Sequence, residues 1–152
     1  MLTKFLEIED GVKFLQDAID RTKEKPDATF IYKIAQADKK LDLGQHFDCL
    51  ELLQQVESDI KQFPDTDAKV LSRLFFAFSL YYRRRDDQEK YYQNSLQFLA
   101  YTNSSELTEA QKKDLSIKMG MSVLLGKNIY NITELVRVLL ALHFLRSWIR
   151  RS

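Results

Sequence analysis

The chain has 152 residues, 23 of them basic and 22 acidic, a net charge of +1, four glycines, two prolines and one cysteine. Balanced charge gives no global field to gather nucleic acid or anionic lipid. A lone Cys49 excludes an internal disulfide. The length is that of one domain, which buries roughly 70% of its unfolded surface without staples or metal.

Leu, Gln, Lys, Glu and Asp dominate, and no long period-two run of β-branched residues occurs, so an all-α fold without sheet is predicted. Met1–Asp10 has too short an apolar run and too many acids for a signal peptide. A cytoplasmic and nuclear location is expected. The N-x-S/T triplets at Asn103 and Asn131 are then chance matches.

The first helix is predicted from about Asp10 to Lys23, burying Val12, Phe14, Leu15, Ala18 and Ile19. Lys25-Pro26-Asp27 breaks it, with Asp27 as cap of a second helix, 28–41, that turns Phe30, Ile31, Ile34, Ala35 and Ala37 inward. The third, 47–62, carries Leu50, Leu53, Val56 and Ile60 on one stripe. Phe63-Pro64-Asp65-Thr66 ends it. The fourth, 67–84, carries Val70, Leu71, Leu74, Phe75, Phe78 and Tyr82. The fifth, 88–101, carries Tyr91, Tyr92, Leu96 and Leu99. Asn103-Ser104-Ser105 reads as a loop. Thr108-Glu109-Ala110-Gln111 is a capping-box pattern opening a sixth helix, 108–125. A seventh starts at Ile132 and runs almost to the end.

Three helix–turn–helix joints recur. The first is Leu41-Asp42-Leu43-Gly44-Gln45-His46-Phe47, the second Arg85-Asp86-Asp87-Gln88, and the third runs from Gly126 to Tyr130 into N-I-T-E-L. Gly44 and Asp86 are 42 positions apart, and Asp86 and Gly126 are 40 apart. Helical-pair repeats have periods of roughly 34 to 47 residues. The chain therefore reads as a stacked array of antiparallel helix pairs, TPR-like in kind, whose work is binding or scaffolding. Gly44 and Gly126 are read as helix ends, and Asn131 as a cap with Glu134 three residues on.

The search for chemistry is nearly empty. The four glycines are scattered, so there is no phosphate loop. His46 and His143 are far apart, and no metal-ligand spacing occurs. Cys49 three residues after His46 has the spacing of a nucleophile and base on one helical face. The competing reading is a small buried apolar cysteine beside a turn histidine, and it is preferred. No catalytic, cofactor or metal site and no small-molecule substrate are expected. Asp86-Asp87 is an acid pair in sequence, read here as a helix N-cap.

Arg83-Arg84-Arg85, flanked by Tyr81-Tyr82 and Tyr91-Tyr92, is the one basic–aromatic cluster. One reading is stacking and phosphate contact with single-stranded nucleic acid. The other is a helix C-terminus that favours cations, with tyrosines at a repeat seam. Asp86, Asp87 and Glu89 cancel the charge and favour the second, leaving the three arginines as candidates for contact with a partner protein.

Three pieces carry a family resemblance: Y-Y-Q-N-S-L-Q-F-L at 91–99, L-L-G-K-N-I-Y-N-I-T-E-L at 124–135, and L-D-L-G at 41–44. Over roughly residues 5–136 the chain resembles the middle of the non-ATPase regulatory subunit 13 family of the 26S proteasome lid. The resemblance implies a PCI-type helical repeat array and a non-catalytic scaffold role in ubiquitin-dependent degradation. It makes other lid subunits the implied partners. It carries over Tyr91, Tyr92, Leu96 and Leu99 as a packing helix, and Gly126, Tyr130, Asn131, Glu134 and Leu135 as a joint. All are architectural. The expected organisation is a repeat region over 1–131 and a divergent C-terminal helix over 132–152, with the winged-helix half of the PCI domain absent. A free-standing repeat adaptor that binds a peptide or helix is the alternative, and a nucleic-acid module a further one.

Leu135–Ile149 is strongly apolar but shorter than the roughly 20 residues of a membrane span, and Arg137, His143 and Arg146 interrupt it. It is read as a helix docked on the array, with Leu145, Trp148 and Ile149 as candidate partner contacts.

Overall fold

A computed structural model of the chain describes residues 2–125, and every regular element in that span is helical. The order is α1 (Leu2–Arg21), α2 (Pro26–Asp42), α3 (His46–Ile60), α4 (Ala68–Arg84), α5 (Gln88–Tyr101), a single 3-10 turn (Ser104–Glu106) and α6 (Glu109–Leu125). The joint at Gly126 and Asn131, the helix expected from Ile132, and Leu145, Trp148 and Ile149 lie outside the described residues.

Each helix packs on its chain neighbour, α1 on α2, α2 on α3, α3 on α4, α4 on α5 and α5 on α6. In addition α2 packs on α4, two elements on, which is what makes the pairs a layered array. The main core lies where α2, α3 and α4 meet. Ile34, Leu53, Leu74 and Val56 are its fully buried branched residues, with Phe30, Leu41, Cys49, Val70, Phe78 and Tyr81 around them. A smaller cluster of Tyr92, Met119 and Val123 joins α5 to α6, where the Ser122 hydroxyl donates to Gln88 Oε1 at 2.9 Å.

The two joints within the described span are closed by the same backbone pairing. At the first, the Gly44 N–H donates to the Leu41 carbonyl and the Gln45 N–H to the Lys40 carbonyl. At the second, Asp86 N–H donates to Arg83 and Asp87 N–H to Tyr82. This paired six-to-one and five-to-two closure is a Schellman motif, and it needs a left-handed residue at its corner. Gly44 has φ +78° and Asp86 has φ +56°. The next residue in each case is the N-cap of the following helix, Gln45 for α3 and Asp87 for α5. The Asp87 carboxylate accepts from the Lys90 N–H at 3.1 Å, as expected for a cap.

The capping box at α6 also forms. The Gln111 N–H donates to Thr108 Oγ1 at 3.3 Å and the Thr108 N–H to Gln111 Oε1 at 2.9 Å. Asp67 caps α4 through the Lys69 N–H at 2.9 Å.

Five sequence expectations are corrected. Helix α1 starts at Leu2, well before Asp10, and runs through Gly11. Phe14 is 69% exposed. Helix α1 packs chiefly on α2, so the stripe of Val12, Leu15, Ala18 and Ile19 is wholly or partly covered and Phe14 falls beside it. Asp27 is not the cap of α2. Lys25 holds that position, Pro26 opens the helix, and Asp27 sits in the first turn, where its charge opposes the helix dipole favourably. Leu96 is 42% exposed. The buried stripe of α5 is instead Tyr91, Tyr92, Ser95 and Phe98. Ser95 can be buried because its hydroxyl donates back to the Tyr91 carbonyl at 2.8 Å. Finally, 103–105 is not all loop, since Ser104–Glu106 forms a 3-10 turn.

Candidate functional site: the basic end of α4 and its groove

Helix α4 carries two rows of side chains. The core row is Val70, Leu74, Ala77, Phe78 and Tyr81. A second row, Lys69, Arg73, Phe76, Leu80 and Arg83, follows the same helical spacing on a neighbouring face and lines open space. The sequence reading missed this second row. Its signal was present: Phe75, Phe76 and Leu80 make α4 apolar beyond what one core stripe needs.

The second row faces two clefts. The smaller, about 330 Å³, lies between α2 and α4 and is lined by Asp38, Lys39 and Asp42 opposite Arg73, Arg83 and Arg84. The larger, about 550 Å³, lies between α4 and α6. Helix α6 packs on α5 and makes no substantial contact with α4, so a groove is left with Tyr91 and Phe98 of α5 among its lining residues. Phe76 and Phe98 pack with ring centroids 5.1 Å apart. Lys118, Asp114, Leu115 and Gln111 line the groove from α6, and Glu106 and Leu107 from the segment before it.

The three arginines have separate fates. Arg84 is a structural link between the joints. Its Nη1 donates to the Leu41 carbonyl at 2.7 Å and its Nη2 pairs with Asp42. The Leu41 carbonyl belongs to the last turn of α2 and already accepts from the Gly44 N–H, so Arg84 adds a second hydrogen bond to an acceptor at a helix end. Arg83 has no ion pair among the described residues and lines both clefts. Arg85 is the C-cap of α4 and is exposed. The tyrosines around them are mainly seam residues: Tyr81, Tyr91 and Tyr92 are buried, and Lys90 Nζ lies 5.1 Å from the Tyr82 ring centre. Burial raises the Tyr82 and Tyr91 hydroxyls above their ordinary pKa.

Arg73 pairs with Asp38 at 2.8 Å and so ties α4 to α2. Burial raises the Asp38 carboxyl above its usual value, with Arg73 opposing and Asp42 reinforcing the shift.

Cys49 is 1% exposed, and its thiol is pushed up to about 12, first by burial and then by Asp38. Such a thiol stays protonated near neutral pH and is no nucleophile. His46 is the first residue of α3 rather than a turn residue, and its ring meets Tyr81 edge-on at 6.5 Å. Among the described residues no group of three His, Cys, Asp or Glu is placed to hold a metal ion. No helix among them is long and apolar enough to cross a membrane.

Comparison with known proteins gives one consistent answer. Residues 1–146 match the family model described as PSD13 N-terminal repeats. The match reaches ten residues past the span of the motif resemblance. The chain is 30% identical over 138 residues to the Arabidopsis thaliana 26S proteasome non-ATPase regulatory subunit 13 homolog B, and 32% identical over 138 residues to homolog A. Each alignment covers 88% of this chain and 36% of the relative. The Saccharomyces cerevisiae 26S proteasome regulatory subunit RPN9 is 26% identical over 87 residues, 57% of this chain and 22% of that protein. The chain thus spans about a third of the length of the Arabidopsis relatives it matches.

Proposed function

Because the chain belongs to the PSD13 N-terminal repeat family, we propose that it is a non-catalytic scaffold piece of the 26S proteasome regulatory lid. It acts through protein–protein contacts with other lid subunits, in the cytoplasm and nucleus. The observation that carries this reading is the match across residues 1–146. The repeated Schellman joints at Gly44 and Asp86 support it, because stacked helix pairs present long faces to partners and hold no chemistry of their own. The buried, protonated Cys49 fits the same reading.

The test is affinity purification of the tagged chain from cells, with its partners identified by mass spectrometry. Recovery of several lid subunits in stoichiometric amounts is expected, and Cys49→Ala should leave that recovery unchanged. Recovery of one unrelated partner, or of none, overturns lid membership.

A further inference from the structure

We propose that the groove between α4 and α6 is a docking site for a short extended acidic peptide segment with one large apolar anchor. Its occupant follows from volume, lining and charge. A cavity of about 550 Å³ is in the size range of peptide and ligand sites. Phe76, Leu80, Phe98 and Leu115 give an apolar lining suited to a single buried anchor.

The charge is asymmetric. The whole chain is nearly balanced, at 23 basic against 22 acidic residues. The groove has Lys69, Arg73, Arg83 and Lys118 against Glu106 and Asp114. Asp114 is already engaged by Lys118, and Arg73 by Asp38. Lys69 and Arg83 have no ion pair among the described residues. They stand 14 positions apart on α4, about 21 Å along the helix. Six or seven extended residues span that distance. A segment with acids near its two ends and an apolar residue between them matches the row of Lys69, the apolar lining and Arg83. A nucleic-acid strand is disfavoured, because its evenly spaced phosphates would run past the Glu106 carboxylate.

Peptide capture here is independent of lid assembly, and the test separates the two. A library of random twelve-residue peptides is panned against the full chain, and the selected peptide is measured by fluorescence anisotropy. Enrichment of sequences with two acidic positions flanking Leu, Ile, Phe or Trp is expected. The double variant Lys69→Glu/Arg83→Glu should weaken binding at least tenfold while circular dichroism retains the helicity. The milder Lys69→Gln/Arg83→Gln should weaken it less. Raising the salt concentration should weaken binding to the parent chain. Enrichment of basic or charge-indifferent peptides overturns the proposal, as does no enrichment. Unchanged affinity in a folded double-charge reversal, or tighter binding of a twelve-nucleotide oligouridylate than of the peptide, overturns it too.

Discussion

The joint at Gly44 and the joint at Asp86 solve one geometric problem with different residues. Both close a helix with the same two backbone hydrogen bonds, and both place a left-handed residue directly before the next N-cap. Gly44 adopts φ +78° without steric cost, and a Cβ built there meets nothing within 4 Å. Asp86 pays for its φ of +56° with backbone strain, offset by its carboxylate accepting from Gln88 Nε2 at 2.6 Å. The capping is reversed. Asp87 supplies a side-chain cap to α5, whereas Gln45 makes no side-chain cap hydrogen bond to α3. The first joint is easy at the turn and weak at the cap, and the second is the opposite. The two joints therefore share a hydrogen-bond pattern through residues that look unrelated in sequence.

The largest expected effect breaks the first joint. Gly44→Val places a β-branched residue at positive φ, and the open space around it cannot relieve backbone strain. A loss of about 2 kcal/mol is expected in urea unfolding. An unchanged midpoint would mean that the corner relaxes out of the left-handed region. The next effect uncouples the two joints. Arg84→Ala leaves the Leu41 carbonyl and Asp42 without their partner on α4. Because the Arg84 side chain is half-exposed, water replaces part of the loss, and a cost of about 1 kcal/mol is expected. In a double-mutant cycle, Arg84→Ala and Asp42→Asn should be non-additive.

The joints were legible because Gly, Asp-Asp and the Thr108–Gln111 box are local signals, readable within a few residues. The all-α class and the described helices were legible from apolar stripes, with most boundaries close to those seen. Facing was less legible. Phe14 and Leu96 are apolar residues beside a stripe, and only the neighbouring helix decides how wide a stripe is covered. Ser95 failed in the other direction, since a hydroxyl that bonds its own helix is as buriable as an alanine. Within the basic triplet, no local signal distinguishes Arg84, which spans 43 positions to Leu41, from Arg83, which lines the groove. The second row of α4 left an apolar signal in Phe76 and Leu80, but the groove it lines is defined by where α6 does not pack.

A smaller effect runs the comparison the other way. Asp86→Gly removes the left-handed strain at the second joint but loses the Gln88 hydrogen bond and frees the unfolded chain. The terms nearly cancel, and a gain of about 0.5 kcal/mol or less is expected from the same urea experiment. A loss above about 1 kcal/mol would show that the Asp86 carboxylate matters more than its backbone angle.

The smallest effect is one of pH and concerns the contact that holds α2 against α4. Burial is the first cause of the raised Asp38 pKa. Arg73 lowers it, Asp42 raises it, and Lys39 and Arg84 lower it further. The folded protein therefore holds the Asp38 proton more tightly than the unfolded chain, whose ordinary value is 3.8. The stability this group contributes is fully present below that value and is lost as pH rises through the raised folded value. Asp38→Asn removes the titration. The stability of the parent chain minus that of the variant should fall as pH rises from the ordinary carboxylate value through the raised folded one. It should then stay level toward neutrality. A difference that instead grows with pH over this window would mean that the Arg73 pair, 2.8 Å from the carboxylate, outweighs burial. Asp38 and Arg73 would then be a net stabilising ion pair between α2 and α4.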